Sequence, residues 1–221
     1  MAAVTQQMPQ TAVSPRPEVE HTSALAQLKT LHAEAAETAR LANLLGRSLY
    51  AGLVLPVLAV LTIGMADNVN PVSQLVWCAL VSAVTFALLL AYRHAMHQPF
   101  ERSVLKDFSK DLGAILLFAG FAWGAGAFLA LPSGASAVAA VLFAAVPAIA
   151  VTALLRAREA LFLFLAPAAA LAAAASLLKP FADSMLVAGL ILAVTAAIAG
   201  AAVLRERFAS KHTKPAMLSF P

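Results

Sequence analysis

Charged residues are scarce in this chain: Asp, Glu, Lys and Arg make up 12% of its 221 residues. Soluble domains carry about 25% charged residues, so this chain has too little polar surface to cover a soluble particle of its size. Hydrophobic residues supply 62% of the chain. The composition therefore excludes a soluble globular protein and predicts an integral membrane protein that lies in the lipid bilayer.

Cysteine is nearly missing as well. Cys78, in an apolar run, is the single cysteine, so the chain can form no internal disulfide and shows no metal-ligand spacing. The sequence also contains no glycine-rich phosphate loop. His94 and His97 are three residues apart, but a metal site needs three or four ligands, so a solvated loop pair accounts for them. We expect no metal and no cofactor.

Six apolar blocks dominate the rest of the sequence. Each holds about 19–22 residues, the length that crosses a hydrocarbon core of about 30 Å as a helix. The blocks are rich in Ala and Leu and do not alternate with polar residues, which indicates helices and not strands. We predict an all-α bundle of six transmembrane helices, over residues 48–66, 72–92, 113–131, 135–155, 160–178 and 185–204.

The segments outside the blocks are polar. Residues 1–22 and 205–221 are predicted as cytoplasmic tails, the first of them disordered. Residues 23–47 carry an apolar stripe with helical spacing, from Leu28 to Leu45, which predicts an amphipathic helix. This helix either lies on the membrane or the bundle, or pairs with a second copy of the chain.

The longest loop separates the second and third blocks. Part of it has apolar residues near one helical face, which indicates an amphipathic helix in the membrane interface. These residues are Phe100, Val104, Leu105, Phe108 and Leu112.

Lysine and arginine alternate from loop to loop. The positive-inside rule then places both termini in the cytoplasm, and this topology explains the net charge of +4 without a nucleic-acid partner. Lys179 is the basic residue of the outer loops. The cytoplasmic side is marked by Lys29, Arg40, Arg47, Arg93, Arg102, Lys106, Lys110, Arg156, Arg158, Arg205, Arg207, Lys211 and Lys214.

The interiors of the six blocks contain no Asp, Glu, Lys, Arg or His. Ionisable residues inside a membrane usually mark proton pathways, ion pores or catalytic centres. Their absence from the blocks argues against an intramembrane enzyme and against a proton-coupled transporter.

Small and aromatic residues stand out in the third block. Gly120 and Gly124 permit close approach of another helix, from the same chain or from a second copy. Trp123 lies too deep for an interfacial belt, so its indole N–H needs a partner: Ser82, Thr85 or a backbone carbonyl freed by a proline. We predict helix packing or a ligand pocket at Trp123, Gly120, Gly124 and Trp77.

Three prolines fall inside predicted helices. Each removes a main-chain hydrogen bond and favours a kink. The predicted kinks are at Pro56, Pro147 and Pro167.

Several elements occur in an order that suggests a family. Arg47-Ser-Leu-Tyr50 opens the first block, Arg93 closes the second after Trp77, and Arg205 closes the sixth. The third and fifth blocks carry Gly120-Phe-Ala-Trp123-Gly124, Leu131-Pro132 and Phe162-Leu-Phe164-Leu-Ala-Pro167. Over residues 47–207 the chain resembles the six-helix membrane sensor modules that precede bacterial diguanylate cyclases and some histidine kinases. The catalytic loop and the phosphoacceptor helix of those proteins are not found here, so the resemblance implies a sensor without its output domain.

The sequence thus predicts a non-enzymatic sensor or input module of a bacterial inner membrane. Its sixth helix, with Arg205 and Arg207 at the cytoplasmic exit, or its 23–47 helix would pass a change in helix packing to a cytoplasmic signalling protein. A homodimer is one arrangement compatible with this role. Two alternatives stay open: a small transporter or permease-like protein, and a structural or assembly subunit of a larger membrane complex.

Overall fold

The computed structural model describes residues 17–64, 69–98, 101–132, 135–155, 158–179 and 183–212. These residues form six helices and no strand, and each helix is long and apolar enough to cross a membrane. The prediction of an all-α, multi-pass membrane protein is confirmed to that extent. The helices are α1 (Pro17–Gly64), α2 (Pro71–His97), α3 (Arg102–Leu129), α4 (Ala137–Leu155), α5 (Arg158–Leu178) and α6 (Ser184–His212).

The first helix is longer than expected. In place of a 23–47 helix followed by a separate span, α1 is one helix from Pro17 to Gly64, with Arg47 and Ser48 inside it. The sequence between them and Pro17 is rich in Ala, Leu and Glu, which favour helix, and it contains no further proline. The change from polar to apolar residues within α1 is therefore not a helix end. Of the predicted first tail, residues 1–16 lie outside the described residues.

The chain divides into two compact units, residues 1–39 and 40–221. In the first unit, residues 17–39 are helical, and Leu28 and Leu31 are more than half exposed. The second unit contains the rest of α1 and the other five helices.

The third helix also begins earlier than its apolar block. It starts at Arg102, and Leu105, Phe108 and Leu112 are buried in the hydrophobic core. This amphipathic stretch therefore extends α3 and packs within the bundle, in place of forming a separate interfacial helix. Phe100 lies outside the described residues. At the other end of the chain, α6 continues through residues 205–212 of the predicted tail.

The bundle is organised around α3 and α5. The most extensive helix contact is between these two, α2 packs on α3, and α6 packs on both α5 and α4. Among the described residues, the buried polar side chains are five hydroxyls, and each donates to a backbone carbonyl, as buried polar groups require. They are Ser48, Thr85, Thr152, Ser176 and Thr195.

Candidate functional site at the aromatic cluster

Three aromatic side chains from three helices meet in the core. Trp77 of α2 and Trp123 of α3 lie edge to face, with ring centroids 5.3 Å apart. Phe143 of α4 stacks on Trp123 at 5.2 Å and lies 5.7 Å from Trp77. These are favourable separations for aromatic pairs, so this aromatic cluster holds α2, α3 and α4 together.

The indole of Trp123 is bonded to the backbone of α4. Its Nε1–H donates to the Phe143 carbonyl oxygen at 2.9 Å. In a regular helix that oxygen accepts from the N–H four residues later, but position 147 is Pro147, which has no N–H. Of the three partners expected for this indole, the structure therefore has the carbonyl freed by a proline.

The indole of Trp77 is fully buried and is bonded to the backbone of α3. Its Nε1–H donates to the Ala122 carbonyl oxygen at 3.0 Å. Gly126 leaves the space for this ring, because a methyl group at that position would overlap the indole and the end of the Phe143 ring. Neither Gly126 nor Phe143 was predicted from the sequence as a site residue. The spacing of four between Phe143 and Pro147 is the signal that could have found Phe143.

Gly120 and Gly124 lie where α3 approaches α5. A methyl group at Gly120 would overlap the Phe164 carbonyl oxygen and the ring of Pro167. At Gly124 it would lie 2.6 Å from Cβ of Leu171. Both glycines thus pack within the chain, and their absent side chains permit the close α3–α5 contact.

A second proline-freed carbonyl is paired between α1 and α2. Pro56 lies four residues after Gly52, so the Gly52 carbonyl has no main-chain donor within α1. The hydroxyl of Thr85 in α2 lies 3.2 Å from this oxygen and 3.0 Å from the Val81 oxygen of its own helix. The Gly52 position is tightly packed, since a methyl group there would overlap the Leu88 side chain.

Two basic side chains contact the carboxyl ends of helices. Arg205 of α6 donates from Nη2 to the Thr152 carbonyl in the last turn of α4, at 3.2 Å. Lys179, after α5, donates to the Leu131 carbonyl just beyond α3. Cations are favourable at these ends because the last carbonyls of a helix have no donor and carry partial negative charge. Partial burial lowers the pKa of the Lys179 ammonium group.

The two histidines singled out in the sequence lie in the last turn of α2, and not in a loop. His97 Nδ1 donates to the Arg93 carbonyl at 2.8 Å, and His94 Nε2 lies 2.8 Å from Nε2 of Gln98. In the ranges that the structure describes, no group of three His, Cys, Asp or Glu side chains is placed to hold a metal ion.

The helices around the aromatic cluster pack through directional contacts and enclose little free space. The gap between α3, α4, α5 and α6, lined in part by Ala127, Ala140 and Ser176, is too narrow to admit a water molecule. A groove of about 540 Å³ on the surface between α2 and α3 has an apolar lining that includes Leu80, Phe118 and Ala122. Hydrogen bonds and close contacts determine how the helices pack against one another. The kinks predicted at Pro56, Pro147 and Pro167 stay predictions.

Comparison with known proteins gave no match to any family model, to any curated protein or to any solved structure.

Proposed function

We propose that this chain is a non-enzymatic sensor or input module of a bacterial inner membrane, which relays a membrane signal or a small ligand to a cytoplasmic output partner. The observation that carries the proposal is the exit of α6. This helix continues from its apolar span, Ser184–Arg205, to His212, and Arg205 is bonded to the end of α4 at that exit. A change in the packing of α4 therefore has a direct route to the segment that leaves the membrane.

The aromatic cluster supports this role. Its contacts are directional: two indole N–H groups each bond to one backbone carbonyl, and Gly126 leaves the space for one of the rings. Packed interfaces of this kind switch between discrete arrangements and do not deform continuously. A signal acts on such a module by binding one arrangement more tightly than another.

The orientation of the helices is part of the proposal. Both termini lie in the cytoplasm, as the alternation of basic loops indicates. Single cysteines in a Cys78→Ser background test this with a membrane-impermeant maleimide on intact cells. We expect labelling of Val69→Cys, in the α1–α2 loop, and labelling of Gln98→Cys only after permeabilisation. The reverse pattern would contradict the orientation.

The sensor role is tested by co-purification under native expression. A tag within residues 1–16 and a mild detergent would recover the chain with its partners, and mass spectrometry would give its intact mass. A cyclase or kinase, as a separate partner or as a continuation of the chain, would support the proposal. Recovery of the chain alone, or as a fixed subunit of a large complex, would overturn it in favour of transport or assembly.

Gly124→Leu provides a second test once an output is known. The larger side chain would overlap Leu171 of α5 and shift the α3–α5 packing. We expect an altered output with normal membrane insertion. Unchanged output from a normally inserted variant would show that this packing does not carry the signal.

A further inference from the structure

Helix α4 is held at two backbone oxygens by side chains of two different helices. Trp123 of α3 bonds to the Phe143 oxygen, and Arg205 of α6 bonds to the Thr152 oxygen. Pro147 lies between these two points. We propose that residues 148–155, the terminal segment of α4, are a hinged arm that pivots at Pro147 and controls α6 through Arg205. This inference rests on the proposed function and names residues 148–155 as the segment that moves when the signal is relayed.

The hinge follows from the hydrogen bonds of α4 around Pro147. The proline removes the main-chain donor to the Phe143 oxygen, so the helix is not tied across this turn by that bond. Trp123 replaces the donor from outside, which anchors the first half of α4 to the aromatic cluster. The second half is joined to the first by one main-chain bond fewer than a regular helix would have.

Thr152 weakens the same region of the helix. Its hydroxyl donates to the carbonyls of Ala148 and Ile149, one turn earlier in α4. A buried hydroxyl bonded in this way competes with the main-chain ladder and bends helices. Proline and threonine thus act on adjacent turns, and both loosen the terminal segment relative to the anchored half.

The link to α6 follows from the end of α4. The Thr152 carbonyl is one of the last four of the helix, which have no donor within it. The Arg205 guanidinium supplies a donor and a positive charge at that end. Arg205 is also the last residue of the α6 apolar span, seven residues before the helix ends at His212. Movement of the arm is therefore transmitted at the point where α6 leaves the bundle.

Hydrogen exchange of the full chain tests the link directly. The protein would be placed in nanodiscs of phosphatidylethanolamine and phosphatidylglycerol, and amide exchange followed in residues 148–155 and 205–212. We expect Arg205→Gln to raise exchange in both segments by about three- to tenfold, because a part-buried, charged hydrogen bond of modest strength is lost. Arg205→Lys keeps a cationic donor and should restore most of the protection in both segments.

Two further variants separate the link from a general charge effect and from the hinge. Lys110→Gln removes one positive charge from an exposed side chain of α3 that is paired with Asp107, and it should leave exchange in residues 148–155 unchanged. Pro147→Ala restores a main-chain N–H at the pivot and should slow exchange in those residues. The inference is overturned if Arg205→Gln leaves residues 148–155 unchanged, or if Pro147→Ala leaves their exchange as it was.

This measurement needs no output partner, so it is independent of the test of the proposed function. If the exchange effects appear and co-purification finds no signalling partner, the hinged arm stands and the sensor role fails. If a partner is found and the exchange effects are missing, the sensor role stands and the hinged arm fails.

Discussion

The Trp123 indole lies 2.9 Å from the carbonyl oxygen of Phe143, the oxygen that Pro147 leaves without a main-chain donor. The hydroxyl of Thr85 contacts the Gly52 carbonyl in the same way, four residues before Pro56. The hydrocarbon core of a bilayer offers no bulk water to a freed carbonyl, and at both positions a side chain of a neighbouring helix supplies a donor. The carbonyls that the prolines of α1 and α4 leave without a main-chain donor thus form specific hydrogen bonds with side chains of α2 and α3.

Replacing Trp123 with Phe should show how much the hydrogen bond from Trp123 to the Phe143 carbonyl contributes to stability. The ring contacts with the cluster are largely kept, but the Phe143 oxygen loses its cross-helix donor. We expect a loss of about 1–3 kcal/mol in the free energy of unfolding, the usual cost of an unsatisfied buried polar group. Unfolding in mixed micelles, followed by circular dichroism, measures it. Phe121→Leu, at a half-exposed position of α3, is the matched control and should change little.

A double-mutant cycle sharpens this prediction. In a Pro147→Ala background the Phe143 oxygen regains a main-chain donor, so Trp123→Phe should cost less than it does in the natural chain. The loss of ring area is common to both backgrounds and cancels in the cycle. An equal cost in the two backgrounds would show that the freed carbonyl does not determine the contribution of Trp123.

The apolar blocks predicted the number and type of the helices but not where α1 and α3 begin. Hydropathy reports where the chain enters the bilayer, whereas helix propensity and packing decide where a helix starts. Leu105 and Phe108 show the difference. Their spacing marks an amphipathic helix, and the same spacing fits burial against a membrane surface or against other helices of the chain.

The site was predicted in part. The depth of Trp123 indicated a buried indole that needs an acceptor, and Pro147 indicated a free carbonyl, but no spacing rule connects residues on different helices. The contact between Trp77 and Trp123 spans 46 positions of the chain and depends on how α2 packs against α3. Gly126 acquires its role only from that packing, because it is defined by the space that the Trp77 ring occupies.

Gly120 should be intolerant of even a methyl group. Gly120→Ala would place that group against the Phe164 backbone oxygen, which cannot move without shifting α5. We expect a loss of about 1–3 kcal/mol in unfolding free energy, as for other overpacked cores. Gly189→Ala in α6 is the control: nothing lies within 4 Å of the added group, so the substitution should be neutral or stabilising. Similar effects of the two substitutions would contradict close α3–α5 packing at Gly120.

Thr85 should contribute to the contact between α1 and α2. Thr85→Val keeps the shape of the side chain and removes the donor to the Gly52 oxygen, so we expect a loss of about 0.5–1.5 kcal/mol. Thr195 also is buried, but its hydroxyl bonds only to carbonyls of α6 in the contacts that the structure describes. Thr195→Val should therefore cost less in the same unfolding titration. A larger loss for Thr195→Val than for Thr85→Val would show that the cross-helix hydrogen bond does not stabilise the fold.

Lys179 should make stability depend on pH in the alkaline range. Burial lowers the pKa of its ammonium group in the folded chain, so the unfolded chain binds more protons between the two pKa values. Stability must then rise with pH through that interval. The sign is opposite to that of a lysine stabilised by a carboxylate partner.

The measurement is the apparent Tm in detergent for the natural chain and for Lys179→Gln between about pH 8 and pH 10, below and towards the ordinary lysine pKa. The Tm of the natural chain should rise relative to that of Lys179→Gln as the pH increases. The loss of the Leu131 hydrogen bond offsets the two curves, so the prediction concerns the slope alone. A constant difference between the natural chain and Lys179→Gln would show that the partial burial of Lys179 has no consequence for folding.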